Sequence, residues 1–279
     1  MTYRSIKAYL PSVAAARAVL PAVFPMADTF EAHVSGLHII NGVNYYGGAE
    51  LYTPSSVYEI QVEAFKEQAE KVRDTFEAVA ERFSVPHDWQ CDGELHADAI
   101  RHLHAMARST DLLVVAHDGI DDLDLGWDLP SSTAIECGRP VLAIPSGYKA
   151  NAVGQRVLVA WNGSREATRA VFDSMPFLLK AADVKLLTVE EDGSRQTRGF
   201  SPAEEIAVVL ARHGVRPEVV VAPASSRGVA DTVLAKIRAY DADLLVMGCY
   251  GHSRYREFVF GGATHGILTS MTVPTLLSH

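Results

Sequence analysis

The chain has 279 residues, 48% of them apolar and 21% charged, which suits a folded protein with room for one large core or two ordinary ones and excludes a disordered chain. A net charge of -9 argues against nucleic acid or an anionic membrane surface as partner, because those associations run on Lys and Arg neutralising phosphate. Three cysteines, Cys91, Cys137 and Cys249, form no CxxC pair, which argues against a disulfide framework or a cysteine zinc site and fits a reducing cytoplasm.

In chain order, residues 5–10 read as a first strand and 13–28 as an Ala-rich helix that Pro21 and Pro25 are expected to shorten or kink. The apolar stretch 9–24 is interrupted by Pro11, Arg17 and Pro21 and follows no basic leader, so no signal peptide is expected. No apolar run reaches the roughly 20 residues a membrane helix needs. Residues 32–40 form a strand, 41–54 a glycine-containing loop, and 57–83 a long helix with Ile60, Ala64, Ala69, Val72, Phe76, Val79 and Phe83 at helical spacing. A short edge strand at 87–90, a helix at 95–108, an apolar strand at 111–116, an acidic loop at 118–128, a helix at 130–137 and a strand at 140–145 close the first half.

From Gln155 the same programme begins again. Arg4 to Ala8 lie over Arg156 to Ala160, Val34 to Ile40 over Val184 to Glu190, Asp111 to Val115 over Asp243 to Met247, and Pro140 to Leu142 over Pro274 to Leu276. The Pro, Gly and polar residues of 146–154 read as a linker between two domains, 1–147 and 155–279. In the second copy a helix at 164–181 is expected to bend at Pro176. A strand at 183–190, a loop at 191–200, a helix capped by Ser201, a strand at 215–222 and a helix at 227–240 follow. Strands and helices alternate throughout, which right-handed crossovers turn into a parallel, doubly wound α/β sheet in each copy.

The stretch 243–264 combines a buried strand, a glycine loop and the start of a helix. Gly248 and Gly251 are separated by two residues, Gly251 and Gly261 by nine, and Gly262 follows. Glycines let backbone approach a ligand closely, and amides at a helix head attract anions, so phosphate is the expected ligand. This Gly-x2-Gly-x9-Gly spacing resembles the phosphate-binding loop of the universal stress protein family, and the order of parts from Asp243 to Leu277 follows that family. The resemblance implies two tandem Rossmann-like domains of the adenine nucleotide alpha hydrolase-like class. Each would be a five-stranded parallel sheet of order 3-2-1-4-5 with helices on both faces, paired through the last strands into an internal pseudo-dimer. It further implies a cytoplasmic stress-response module, a homodimer in addition to the pseudo-dimer, and ATP or another adenine nucleotide, with Mg if ATP, in the second copy. The residues so implied are Ala160, Trp161, Asn162, Val189, Met247, Gly248, Gly251, His252, Gly261, Gly262, Ala263 and Thr264. Two positions depart from the family: Gly262 stands where Ser or Thr usually offers a hydroxyl, a loss that Thr264 is placed to offset, and Asn162 where Asp is usual.

The first copy has Ala116 and Gly119 where the second has Gly248 and Gly251, and Asp121, Asp122, Asp124 and Asp128 would repel phosphate. It reads as a degenerate structural partner. His252, Arg254 and Arg256 are placed to meet phosphate or to lie in a solvated loop. His96, His102 and His104 lack strong zinc spacing, Cys249 reads as a buried spectator, and Ser164 reads as a helix cap with no base to activate it. No GxSxG, GxxxxGK[ST], HExxH or GxGxxG is present, so catalysis is not expected beyond at most a slow ATPase by analogy of fold. The alternative reading is a nucleotide-free scaffold of the same fold acting through protein contacts or another small ligand.

Overall fold

The computed structural model describes residues 2–41, 55–96, 99–117, 129–149, 152–190, 202–250 and 262–279. In the first half of the chain the order is β1 (Ser5–Tyr9), α1 (Val13–Phe30), β2 (His33–Asn41), α2 (Ser55–Ala80), β3 (His87–His96), α3 (Ala99–Ala107), β4 (Leu112–His117), α4 (Leu129–Cys137) and β5 (Val141–Pro145). The second half repeats it as β6 (Arg156–Ala160), α5 (Arg165–Asp173), α6 (Met175–Leu178), β7 (Asp183–Glu190), α7 (Pro202–Arg212), β8 (Glu218–Pro223), α8 (Val229–Ala239), β9 (Leu244–Gly248), α9 (Ala263–Ser270) and β10 (Thr275–Ser278).

All ten strands belong to one sheet of order β3-β2-β1-β4-β5-β10-β9-β6-β7-β8. Each half has the expected order 3-2-1-4-5 with parallel neighbours. The halves meet where β5 and β10 run antiparallel, with Ala143 opposite Thr275, Leu142 opposite Leu276 and Val141 opposite Leu277. The strands at the centre are buried on both faces, as their near-continuous apolar runs require. Helices α1, α2, α5, α6 and α7 cover one face. The other face is covered by α3, α4, α8 and α9.

Several local expectations need correction. The first helix runs unbroken through Pro21 and Pro25. Pro21 lies on its solvent side, where an unbonded carbonyl can be hydrated. The edge strand β3 extends to His96, so α3 begins only at Ala99. Apolar periodicity is weak there and gave no stop signal. The helix after β6 breaks at Ser174, two residues before Pro176, and resumes as the single turn α6. The loops 42–54, 118–128 and 191–200, and the cap Ser201, lie outside the described residues.

The internal repeat is visible in one carboxylate per half. Asp111, just before β4, accepts the amides of Arg4 at 2.8 Å and Ser5 at 3.0 Å at the head of β1. Asp243, just before β9, accepts those of Gly154, Gln155 and Arg156 at 3.0, 3.1 and 2.9 Å at the head of β6. The amides of Asp111 and Asp243 in turn donate to the carbonyls of Ser5 and Arg156. Ser5, not Arg4, is therefore the partner of Arg156 in the repeat. A strand buried on both faces has no apolar alternation to fix its register, so the sequence overlay slipped there by one residue. The other three overlays keep their register.

The seam between halves is packed on both faces of the sheet. Tyr3, Phe30 and Phe177 form an edge-to-face trio with centroids 5.1 to 5.6 Å apart. The Tyr3 hydroxyl donates to the carbonyl of Asp173 at 2.6 Å, and burial raises the phenol's pKa well above its ordinary value. On the opposite face, Nε2 of His117, at the end of β4, donates to the carbonyl of Leu268 in α9 at 3.0 Å. The carboxylate clamps give a direct test. Replacing Asp243 by Ala removes three charge-assisted bonds and Asp111→Ala two, so urea unfolding is expected to show a loss of about 2–4 kcal/mol for the first and a smaller loss for the second.

Candidate functional site

In the second half the chain leaves β6 for α5 on one face of the sheet and leaves β9 for the other face, where α9 lies. Divergent crossovers from adjacent parallel strands open a crevice at their carboxyl ends. Ala160 lies opposite Met247 in that pair, so the ends of β6 and β9 are level.

Along this edge the structure brings together most of the residues singled out from sequence. Ala160 is half-buried, and Trp161 is buried with its amide donating to the Leu187 carbonyl at 2.8 Å. Asn162 is exposed, and its Oδ1 accepts the amide of Ser164 at 3.0 Å. The Ser164 hydroxyl then caps α5 by accepting the Ala167 amide at 3.1 Å. Val189 is half-buried near the end of β7, and Met247 and Gly248 end β9. Gly262, Ala263 and Thr264 form the head of α9. That head is tied to the end of β9, because the Tyr250 amide donates to Thr264 Oγ1 at 3.4 Å. Gly251, His252 and Gly261 lie outside the described residues, as do Arg254 and Arg256.

Two of these residues do something that their sequence neighbours did not reveal. Thr264 is only 3% exposed and its oxygen accepts the Tyr250 amide, which ties the end of β9 to the head of α9 and leaves its own O–H as a donor. Gly248 is a packing glycine. A Cβ there would lie 2.5 Å from the Ala167 amide nitrogen and 2.8 Å from Glu166 Cβ, so the first turn of α5 rests on its bare backbone.

Glu166 was not recognised from the sequence as part of this region. It is 6% exposed in the first turn of α5, and its Oε1 receives Nε and Nη2 of Arg165, each at 3.1 Å. The only sequence signal was an Arg-Glu pair after a capping Ser. The head of α5 thus carries its own carboxylate and its own cap. The head of α9 has no acidic residue in its first turn and no side-chain cap bond. Its first-turn amides are the better donors to an anion in this crevice. In the first half, α4 carries Pro130 as its second residue and so offers one amide fewer at the corresponding head.

The remaining candidates are buried or lie away from this edge. Cys249 is fully buried, its thiol directed at the Ser278 carbonyl at 3.5 Å. His102 pairs through Nε2 with Asp92 at 2.6 Å on the other half of the molecule. Burial raises the thiol pKa of Cys91 and of Cys137. No group of three or more His, Cys, Asp or Glu side chains able to hold a metal occurs among the described residues.

A universal stress protein from Archaeoglobus fulgidus DSM 4304 superposes with a TM-score of 0.72 at 16% identity, over 98% of this chain and 95% of that one. The chain has the tandem universal stress protein fold. A functionally unknown protein from Pseudomonas aeruginosa PAO1 superposes with a TM-score of 0.53 at 14% identity, covering 99% of this chain and 92% of its own. The cytoplasmic domain of a prokaryotic cation chloride cotransporter does so with a TM-score of 0.53 at 10% identity, covering 98% and 94%. No family model matches the sequence, and no curated protein matches it. At these identities the likeness is one of fold.

Because α5 is seated on Gly248, Gly248→Ala is expected to push its first turn off the sheet and cost about 1–3 kcal/mol in urea unfolding. An unchanged midpoint would show that the turn yields freely.

Proposed function

We propose that the protein is a tandem universal stress protein, a cytoplasmic stress-response binding module whose second half, 155–279, holds an adenine nucleotide while the first half, 1–147, serves as its structural partner. The observation that carries this reading is the head of α9. It has no side-chain cap among the described residues, carries no acidic residue in its first turn, and is tied through Thr264 to the backbone just beyond β9, beside the crevice where strand order reverses. Phosphates would meet the amides of Gly262, Ala263 and Thr264, with Gly251, His252 and Gly261 completing the loop. The nucleoside would extend along Ala160, Trp161, Asn162, Val189, Met247 and Gly248. Magnesium enters with ATP, carried by its phosphates. A homodimer in addition to the internal pairing is part of the same proposal, since β3 and β8 remain sheet edges.

A second reading, a nucleotide-free scaffold, is favoured by Asn162 and Gly248. Asn162 Oδ1 already bonds the Ser164 amide, and Gly248 is needed for packing with or without a ligand. The fold also serves as the cytoplasmic domain of a cotransporter, so architecture by itself does not choose between the two.

Titration calorimetry with ATP, ADP and AMP, with and without magnesium, separates them. Saturable heat is expected for the wild type. Gly262→Asp places a carboxylate before the α9 amides and is expected to weaken binding at least about tenfold. No heat at millimolar nucleotide removes the nucleotide and leaves the scaffold.

A further inference from the structure

Two polar side chains in the second half are enclosed without partners, and they are neighbours. Trp161 is 7% exposed, and its indole nitrogen, like the hydroxyl of Thr188, has no hydrogen-bond partner among the described residues. Ala160 pairs with Leu187 and the Trp161 amide donates to the Leu187 carbonyl, so Trp161 and Thr188 are adjacent at the ends of β6 and β7. Both lie on the sheet face that carries α5 and α7, because they follow in alternation from Val159 and Leu186.

The first half shows how the same two places are otherwise filled. Val34 matches Val184 in the repeat, so His38 matches Thr188. Leu10, whose amide donates to the Leu37 carbonyl, matches Trp161. There His38 Nδ1 donates to the Leu10 carbonyl at 2.7 Å, and the leucine side chain has no polar atom to satisfy. In the second half the long imidazole has become a short hydroxyl, and the leucine an indole with a donor. One small group that both accepts and donates would satisfy the pair. Buried donors and hydroxyls left unpaired by protein are those that ordered water bridges.

We propose that Trp161 Nε1–H and Thr188 Oγ1 together bind one internal water molecule beneath α5 and α7, with the indole donating to it and the hydroxyl exchanging a hydrogen bond with it. The site stands whether or not the adjacent crevice takes a nucleotide.

The chain has three tryptophans, so the Trp161 indole proton is assigned by its loss from the spectrum of Trp161→Phe. In the wild-type protein this proton is expected to show direct cross-relaxation with a slowly exchanging water, and a high-resolution crystal structure to show one water between Nε1 and Oγ1. Trp161→Phe and Thr188→Val are each expected to lower the folding equilibrium constant about fivefold to tenfold, with the double variant falling well short of the product of the two. Thr188→Ser, which keeps the hydroxyl, is expected to retain the water signal. The proposal is overturned if the indole proton shows no water contact, if density shows Nε1 bonded directly to protein or to a co-purified molecule, or if the two single effects are absent or multiply independently.

Discussion

The antiparallel contact of β5 with β10 is the interaction on which the rest of this structure depends. Through three residue pairs it turns two five-stranded halves into one sheet and removes two edges that would otherwise expose unpaired backbone at the middle of the molecule. Because the pairing is antiparallel, the carboxyl ends of the two parallel halves point in opposite directions, and the two crevices open on opposite edges of the sheet. Tyr3 with Phe177 on one face and His117 with Leu268 on the other hold the seam from both sides.

Within this frame the two halves have diverged where chemistry would occur and agree where folding needs them. Asp111 and Asp243 hold the heads of β1 and β6 in the same way. At the carboxyl edge, by contrast, Leu10 and His38 answer to Trp161 and Thr188, Ala116 answers to Gly248, and α4 carries Pro130 near its head where α9 offers amides. Helix heads also divide the work inside the second half: α5 is closed by Ser164 and Glu166, and among the described residues no side chain caps α9. Charge, not the count of glycines, distinguishes the two.

Most of the architecture was legible in the amino-acid order. Continuous apolar runs such as 244–247 mark doubly covered strands, and the alternation of strand and helix fixes a parallel sheet in each half. Less of the site was legible. Gly248 has the spacing of a phosphate loop, yet its neighbour is the backbone of Ala167, a contact between segments some eighty residues apart that no local pattern encodes. Thr264 lies two residues past Gly262, yet the sequence gives no sign that its oxygen also accepts the Tyr250 amide across fourteen residues. Glu166 gave no local sign of burial, because a Glu at the start of a helix is ordinarily solvated.

The sequence by itself determined the duplicated α/β plan, the places of the strands and the stretch in which an anion site would be sought, since these follow from apolar runs, turn residues and glycine spacing along the chain. Only the tertiary structure decided that the halves share one sheet through β5 and β10 in this chain, that the first-strand overlay moves by one residue, and that of the two helix heads at the crevice α5 is closed by its own side chains while α9 has no side-chain cap among the described residues. These depend on which backbone groups and charges meet after folding, between residues far apart in sequence.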